Sequence, residues 1–357
     1  MPSYFRFLTV MAFHVFLREK VDVAVLEVGI GGEYDCTNVI TRPIVCGIAS
    51  IGMDHENILG DSIQKIAWNK SGIMKTGVPV FTIPTQNPSV MKVLAERAEE
   101  KKCDLKVVPL LTMSDFTTTK LQGNHQYENA SLAVALAFEW LKKVKMVGEG
   151  YHMGGGSAAE SKYSRLPPWV IDILANTRWP GRSHKFVMDR YKNITWYADG
   201  AHTVESIDAC LSWYHQQNKD QEKKCVLLFS PAAGRDAGVL IKKLVSCTRD
   251  IRFVEVIFTR KITGRPDSKN KNVKVADSLS DLEGLKERWL EAVPDFDPSK
   301  ISMFTNIQDS IEMITKKYGN PSELKNMKDN ENIDVIVTGS LHLVGGVLDV
   351  TKTPLIY

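Results

Sequence analysis

No Gly-Lys dipeptide occurs anywhere in the chain, so a phosphate loop of the form G-x-x-x-x-G-K-[ST] is not written in it. Neither H-E-x-x-H nor G-x-S-x-G is present, which removes support for zinc-protease and α/β-hydrolase chemistry. Cysteine is sparse: the six, at 36, 46, 103, 210, 225 and 247, include no C-x-x-C pair. A zinc ribbon, a thioredoxin-type centre and a disulfide framework are set aside, and a reducing compartment fits best. Charge of one sign is nearly balanced, since 45 Lys+Arg against 42 Asp+Glu leave +3. That is too slight and too interspersed to imply a nucleic-acid or membrane partner. The longest N-terminal apolar stretch, residues 7–17, is interrupted by His14 and runs into Arg18-Glu19-Lys20 without a cleavage site, too short for a membrane span.

What is present is an ordinary globular composition, 43% hydrophobic and 24% charged over 357 residues, enough for two domains. Residues 4–18 are apolar on nearly all sides and read as a helix buried in a core, so the chain looks cut at its start. Residues 21–27, 44–50 and 79–82 read as strands covered on both faces, with helices at 62–75, 89–101 and 124–141. Residues 147–165, rich in Gly, Ser and Ala, read as a disordered insertion, and Gly154–Ser157 lacks the strand and helix that a phosphate cradle needs. The alternation then resumes with strands at 194–198, 226–229, 253–258 and 334–337 and helices at 203–216, 236–247, 279–291 and 307–317; residues 316–331 read as a loop. The whole is an α/β chain whose second half is a doubly wound, Rossmann-like unit.

Ligands of open α/β sheets sit at the carboxyl ends of the strands. Glu27 stands there, before Gly29, Gly31 and Gly32, whose missing side chains allow close approach of backbone and ligand. Asp54-His55 follows the second strand, and Lys70 lies fifteen residues beyond. A carboxylate and an imidazole on neighbouring strand tips suit a divalent cation completed by substrate phosphates. Asp199 closes a strand and opens Asp199-Gly200-Ala201-His202, where a carboxylate suits ribose hydroxyls; Thr203 with Ser206 suits a helix cap. Thr338-Gly339-Ser340 repeats the pattern, and Arg182 sits in the rigid turn Trp179-Pro180-Gly181-Arg182. Taken singly, each has a bland reading as a solvated strand end, a loop histidine or a surface lysine.

Taken in order, Leu26-Glu27-Val28-Gly29-Ile30-Gly31-Gly32-Glu33-Tyr34-Asp35-Cys36-Thr37-Asn38, Asp54-His55, Trp68-Asn69-Lys70-Ser71-Gly72, His125-Gln126-Tyr127-Glu128-Asn129-Ala130, Trp179–Arg182, Asp199–His202 and Thr338–Gly346 resemble the folylpolyglutamate synthases of the Mur ligase superfamily, in their eukaryotic form. The resemblance implies a central Mur-ligase-type ATP-binding domain over 1–187 and a C-terminal Rossmann-like domain over 188–357. It implies ATP- and Mg2+-dependent addition of L-glutamate to the γ-carboxylate of tetrahydrofolate polyglutamates through an acyl phosphate, with a monovalent cation as a further cofactor. By the same resemblance Glu27 and His55 are magnesium ligands, and Lys70 is the lysine carbamylated to a negative group, which reverses its charge. Asn129 contacts adenine, Arg182 phosphate, and Asp199 holds ATP, while His202 and Ser340 lie near the incoming glutamate. Asn69 stands where the family has Glu or Gln.

The Ser230–Asp236 turn departs from the Thr-Gly-Asp-Arg-Asp type of animal relatives and is left outside the expected site. The family's Gly-Lys-Gly-Ser type phosphate loop and early folate-contacting segment have no counterpart in the sequence. Two readings follow, an active ligase, and a truncated form that keeps folate or partner binding without turnover. A Mur-type ligase for cell-wall precursors, or one making only dihydrofolate, fits the motifs at 34–38 and 338–346 less well. A monomer in the cytoplasm, extending to mitochondria, completes the expectation.

Overall fold

A computed structural model describes residues 3–112, 115, 120–147, 166–219, 223–246, 251–263, 279–319 and 332–353. Of the expected insertion only Val147 is among these, and residues 320–331 of the expected loop at 316–331 also lie outside them. Backbone contacts divide the chain into one unit of residues 1–117 and 126–174 and another of 118–125 and 175–357.

The first unit carries α1 (Tyr4–Glu19), β1 (Cys46–Ile48), α2 (Glu56–Leu59), α3 (Ile63–Lys70), β2 (Val80–Thr82), α4 (Pro88–Lys101), β3 (Leu105–Val107), α5 (His125–Lys143) and α6 (Pro168–Asn176). Its sheet is parallel, in the order β1-β2-β3, with Cys46 opposite Val80 and Val80 opposite Leu105. Parallel strands need both faces covered. Ile66 and Ala67 of α3 with Val90, Leu94 and Ala98 of α4 bury one side. Leu132 and Ala135 of α5 cover Ile83 and Val108. Local chemistry sets the helix ends: Asn87 accepts from Ser89 N–H ahead of Pro88 at the first turn of α4, and Lys102 ends the helix in a left-handed turn.

Two expectations fail here. Residues 21–27 form no strand; they run with exposed side chains, because no described strand pairs with them and β1 hydrogen-bonds only β2. Without a ladder partner a β-branched run leaves its backbone groups to water and has no sheet face to bury. The helix over the first residues is present as α1, yet none of its residues is buried. Its contacts include Thr9 Oγ1 with Cys36 Sγ at 3.5 Å and Phe5 beneath Gly29, and its residues are at most half-buried, so a helix apolar all round leaves much of its surface bare.

The second unit carries β4 (His184–Met188), β5 (Tyr191–Ala198), α7 (Val204–Gln217), β6 (Lys224–Phe229), α8 (Ala237–Ser246), β7 (Arg252–Thr259), α9 (Ser280–Ala292), β8 (Ile301–Phe304), α10 (Ile307–Tyr318), β9 (Ile333–Thr338) and α11 (Leu341–Val350). Lys316 and Lys317, which the helix expected at 307–317 and the loop expected at 316–331 shared, lie in α10. The sheet order is β4-β5-β9-β6-β7-β8, parallel throughout except for β4, which pairs antiparallel with β5. Helices α7, α8 and α9 bury one face around Trp213 and Trp289. Helices α10 and α11 bury the other around Trp196. Because β9 returns to lie between β5 and β6 and feeds α11 to the opposite face, the chain reverses sense on both flanks of β9. Such switch points open crevices at the carboxyl edge of the sheet.

Candidate functional site

In the first unit the glycine turn lies on the end of α3. Gly31 has φ +74°, and a Cβ on Gly32 would stand 2.6 Å from the Lys70 carbonyl oxygen. Only glycine permits this approach. Glu33 N–H donates to Asn69 O at 2.8 Å, and its carboxylate pairs with Arg97, a buried arginine whose guanidinium also lies 4.5 Å from the Trp68 ring centre. Lys70, the last residue of α3, is half-buried, and Glu27 is exposed two residues before Gly29.

His55 adopts φ +54° at the start of α2, with Nε2 3.6 Å from Asp54 Oδ1. Buried Gln86 pins the chain after β1, accepting from Ile51 N–H at 3.0 Å and donating to Ala49 O at 2.7 Å. Asn129 is exposed on the first turns of α5 and donates to Gln126 Oε1 at 3.0 Å.

In the second unit the nominated residues are joined by main-chain bonds. Both oxygens of Asp199, at the tip of β5, are held by backbone donors, Ser183 N–H at 2.7 Å and Ala201 N–H at 2.9 Å. Gly200 N–H donates to Gly181 O at 2.9 Å, so the Trp179–Arg182 turn and the Asp199 loop extend the β4–β5 pairing as one piece. Burial raises the Asp199 pKa, against the opposing pull of the Ser183 N–H, Arg182, His125 and the Ala201 N–H.

His202 Nδ1 lies 2.9 Å from Gly200 O. A carbonyl can only accept, so in the neutral ring Nδ1 carries the proton and Nε2 keeps its lone pair. Thr203 and Ser206 form a reciprocal capping box on α7, the bland reading of that turn. Ser340 is buried and caps α11, its hydroxyl accepting from His342 N–H at 3.2 Å.

The loop left out of the expected site is bonded into this edge. Gly339, at φ +103°, donates to Ala201 O at 2.9 Å and accepts from Ala232 N–H at 2.8 Å. The tips of β5, β9 and β6 are thus stitched side by side. No local motif announces this, because it follows from β9 lying between β5 and β6.

The described residues contain no group of three or more His, Cys, Asp or Glu placed to hold a metal. One carboxylate and one imidazole, Glu27 and His55, do not make a resident metal centre. A magnesium ion carried by nucleotide phosphates keeps several oxygen ligands of its own and asks few of the protein.

The C-terminal domain model of dihydrofolate synthetase matches residues 184–350. The folylpolyglutamate synthase of Saccharomyces cerevisiae is 38% identical over 355 residues, covering 97% of this chain and 60% of its own length, so the chain spans about three-fifths of that relative. The fold is that of Mycobacterium tuberculosis folylpolyglutamate synthase complexed with ADP and AMPPCP, with TM-score 0.71, 23% identity and coverage of 99% of this chain and 74% of that one. An FPGS complex with AMPPCP and folate aligns with TM-score 0.56 and 22% identity over 88% of this chain and 70% of its own.

Proposed function

From a chain related over nearly its whole length to the folylpolyglutamate synthases, we propose an ATP-dependent ligase that joins L-glutamate to the γ-carboxylate of tetrahydrofolate and its short polyglutamates. The 38% identity over 97% of the chain carries this reading. The strand-end residues gathered in the second unit support it. A γ-carboxylate oxygen attacks the γ-phosphoryl group of ATP and ADP leaves. The amine of glutamate then attacks the acyl carbon, phosphate leaves and the amine gives up a proton.

Both steps concentrate negative charge, so positioning and fixed positive donors supply most of the acceleration. Arg182 neutralises phosphate, Asn129 contacts adenine, and Asp199, held at both oxygens, offers its remaining lone pairs to the nucleotide. His202, with Nδ1 committed to Gly200 O, presents Nε2 to the proton of the incoming amine, and Ser340 adds a hydroxyl beside it. Mg2+, held by Glu27 and His55 with the phosphates, supplies charge neutralisation when bound. A carbamate on Lys70 places negative charge on the metal's side.

The test is ATP- and glutamate-dependent lengthening of tetrahydrofolate by the full chain, lost in Lys70→Ala. Retention of full activity in that variant overturns the carbamate role. A second reading is that this stretch of chain, which spans 60% of the yeast relative's length, binds folate or a partner without turnover by itself. Magnesium-dependent ATP binding together with product formation excludes it.

A further inference from the structure

Lys261 lies two residues past β7 in a stretch whose backbone is pinned on either side of it. Arg260 N–H donates to Phe304 O at 3.1 Å, Ile307 N–H to Ile262 O at 2.8 Å and Gln308 N–H to Thr263 O at 3.1 Å. The lysine's root is therefore fixed, and its ammonium reaches across to donate to Pro231 O at 2.7 Å. The next residue, Ala232, is the one bonded to Gly339. One peptide of the Ser230 loop thus links Lys261 to the turn that ends in Ser340. Thr263 carries the same stretch to α11, since a Cβ on Gly346 would stand 3.7 Å from Thr263 Oγ1.

Among the described residues no carboxylate pairs with this cation. Its neighbour Arg260 takes Asp281 at 2.7 Å, whereas the one hydrogen bond of the Lys261 ammonium goes to a neutral carbonyl. An ammonium has three donors, so two directions remain. Burial lowers its pKa. A partly desolvated cation without a counter-ion costs free energy that a carbonyl alone does not offset. At the carboxyl edge of a doubly wound sheet, the natural compensation is an anion brought by a ligand.

We propose that Lys261 recognises one carboxylate of a dicarboxylic amino acid seated beside the Gly339-Ser340 turn. The inference rests on the ligase reading and names a specificity residue for its acceptor. Strand order favours a carboxylate over the nucleotide's phosphates as the occupant. Between β7 and β5, whose tip carries Asp199, lie β9 and β6, a separation of about 14 Å at ordinary strand spacing. Lys acts as a point charge and needs no bidentate geometry.

The test maps acylation of lysines by a limiting amine-reactive ester in the full chain, with AMPPCP present, with and without L-glutamate. Selective protection of Lys261 by L-glutamate, and weaker protection by L-glutamine or inorganic phosphate, is expected. An unchanged Lys261 rate at saturating L-glutamate, or equal protection by phosphate, overturns the proposal. In turnover, Lys261→Gln raises the KM for glutamate about tenfold, the size of one lost charge-assisted contact, with the KM for ATP unchanged and partial recovery in Lys261→Arg. A glutamate KM within twofold of the parent overturns it equally. A chain without turnover defeats the ligase reading alone, and the acylation measurement, which needs no variant, still decides the role of Lys261.

Discussion

Gly200 faces Leu341 so closely that a Cβ on the glycine would stand 2.2 Å from Leu341 Cδ2, and 2.8 Å from Arg182 Nη1. Leu341 is 43% exposed and can swing outward, whereas the Arg182 guanidinium is placed by the same turn that holds Asp199. Gly200→Ala is expected to cost about 1 kcal/mol in urea unfolding, the low end for overpacking. Nucleotide affinity falls further, by about tenfold, as Arg182 is displaced. Adding Leu341→Ala restores the unfolding midpoint and leaves nucleotide affinity low; joint recovery of both refutes the coupling to Arg182.

Arg97 is the anchor of the glycine turn in the first unit. It is 4% exposed, pairs with Glu33 and with Glu100 at 2.6 Å, and stacks on Trp68. Arg97→Met leaves Glu33 with Lys101 at 3.5 Å as its cationic partner among the described residues. Breaking a buried pair on one side costs more than replacing both partners. Because the Glu33 side chain keeps 22% exposure, a loss of about 2 kcal/mol is expected, below the fully buried case. Pairing the variant with Glu33→Met in a double-mutant cycle should give a coupling of about 1 kcal/mol or more; additive effects contradict the anchor. Amide exchange at Glu33, whose N–H is held by Asn69 O, reports loosening of the turn directly.

Of the six strands of the second unit, β5, β6, β7 and β9 were legible because strands buried on both faces are written as unbroken apolar runs, as in Val226–Phe229 within β6, whereas β4 and β8, at the two edges of the sheet, are mostly half-buried and were not. β3 was not, since Leu105-Lys106-Val107 is three residues long and half exposed, and its pairing with β2 is a tertiary fact. Residues 21–27 have the composition of such a strand without a ladder, and α1 has the composition of a buried helix without a cover; composition records a capacity to be buried, not the partner. Motifs at strand tips singled out Asp199, His202 and Ser340, which lie just past β5 and β9 at the carboxyl edge of the sheet. Ala232 and Lys261 escaped because their proximity to Gly339 depends on β9 returning between β5 and β6.

Asp334 gives the second unit a pH dependence opposite to that of a stabilising surface carboxylate. Its side chain is fully buried on β9, accepting from Tyr214 Oη at 3.0 Å with Lys223 at 3.8 Å, and its Oδ1 has no hydrogen-bond partner. Burial raises its pKa above 3.8, outweighing Lys223, the Tyr214 hydrogen bond and Lys185. A carboxyl that holds its proton more tightly when folded contributes stability below its unfolded pKa and loses it as pH rises through the folded one. Asp334→Asn does not titrate and still accepts from Tyr214. Its unfolding midpoint should therefore gain on the parent as pH rises from about 4 toward 8, and a pH-independent difference contradicts the assignment.

The bare surface of α1 is the most vulnerable feature of the first unit. Tyr4 and Leu17 are each 80% exposed, Val10 63%, and Val25 in the partnerless stretch after the helix 89%. Apolar side chains gathered on neighbouring stretches attract one another across molecules, and a strand-like segment with free backbone donors adds a template for pairing. The isolated 357-residue chain should bind an apolar dye such as ANS in its folded state and scatter light in a concentration-dependent way. Val10→Lys, Leu17→Lys and Val25→Lys together should reduce both signals while leaving the unfolding midpoint within about 0.5 kcal/mol of the parent, as for exposed positions that pack against nothing. If dye binding persists in the triple variant, the adhesive surface lies elsewhere on the chain; if the midpoint drops sharply, these side chains are packed in solution and α1 is covered by contacts within the molecule.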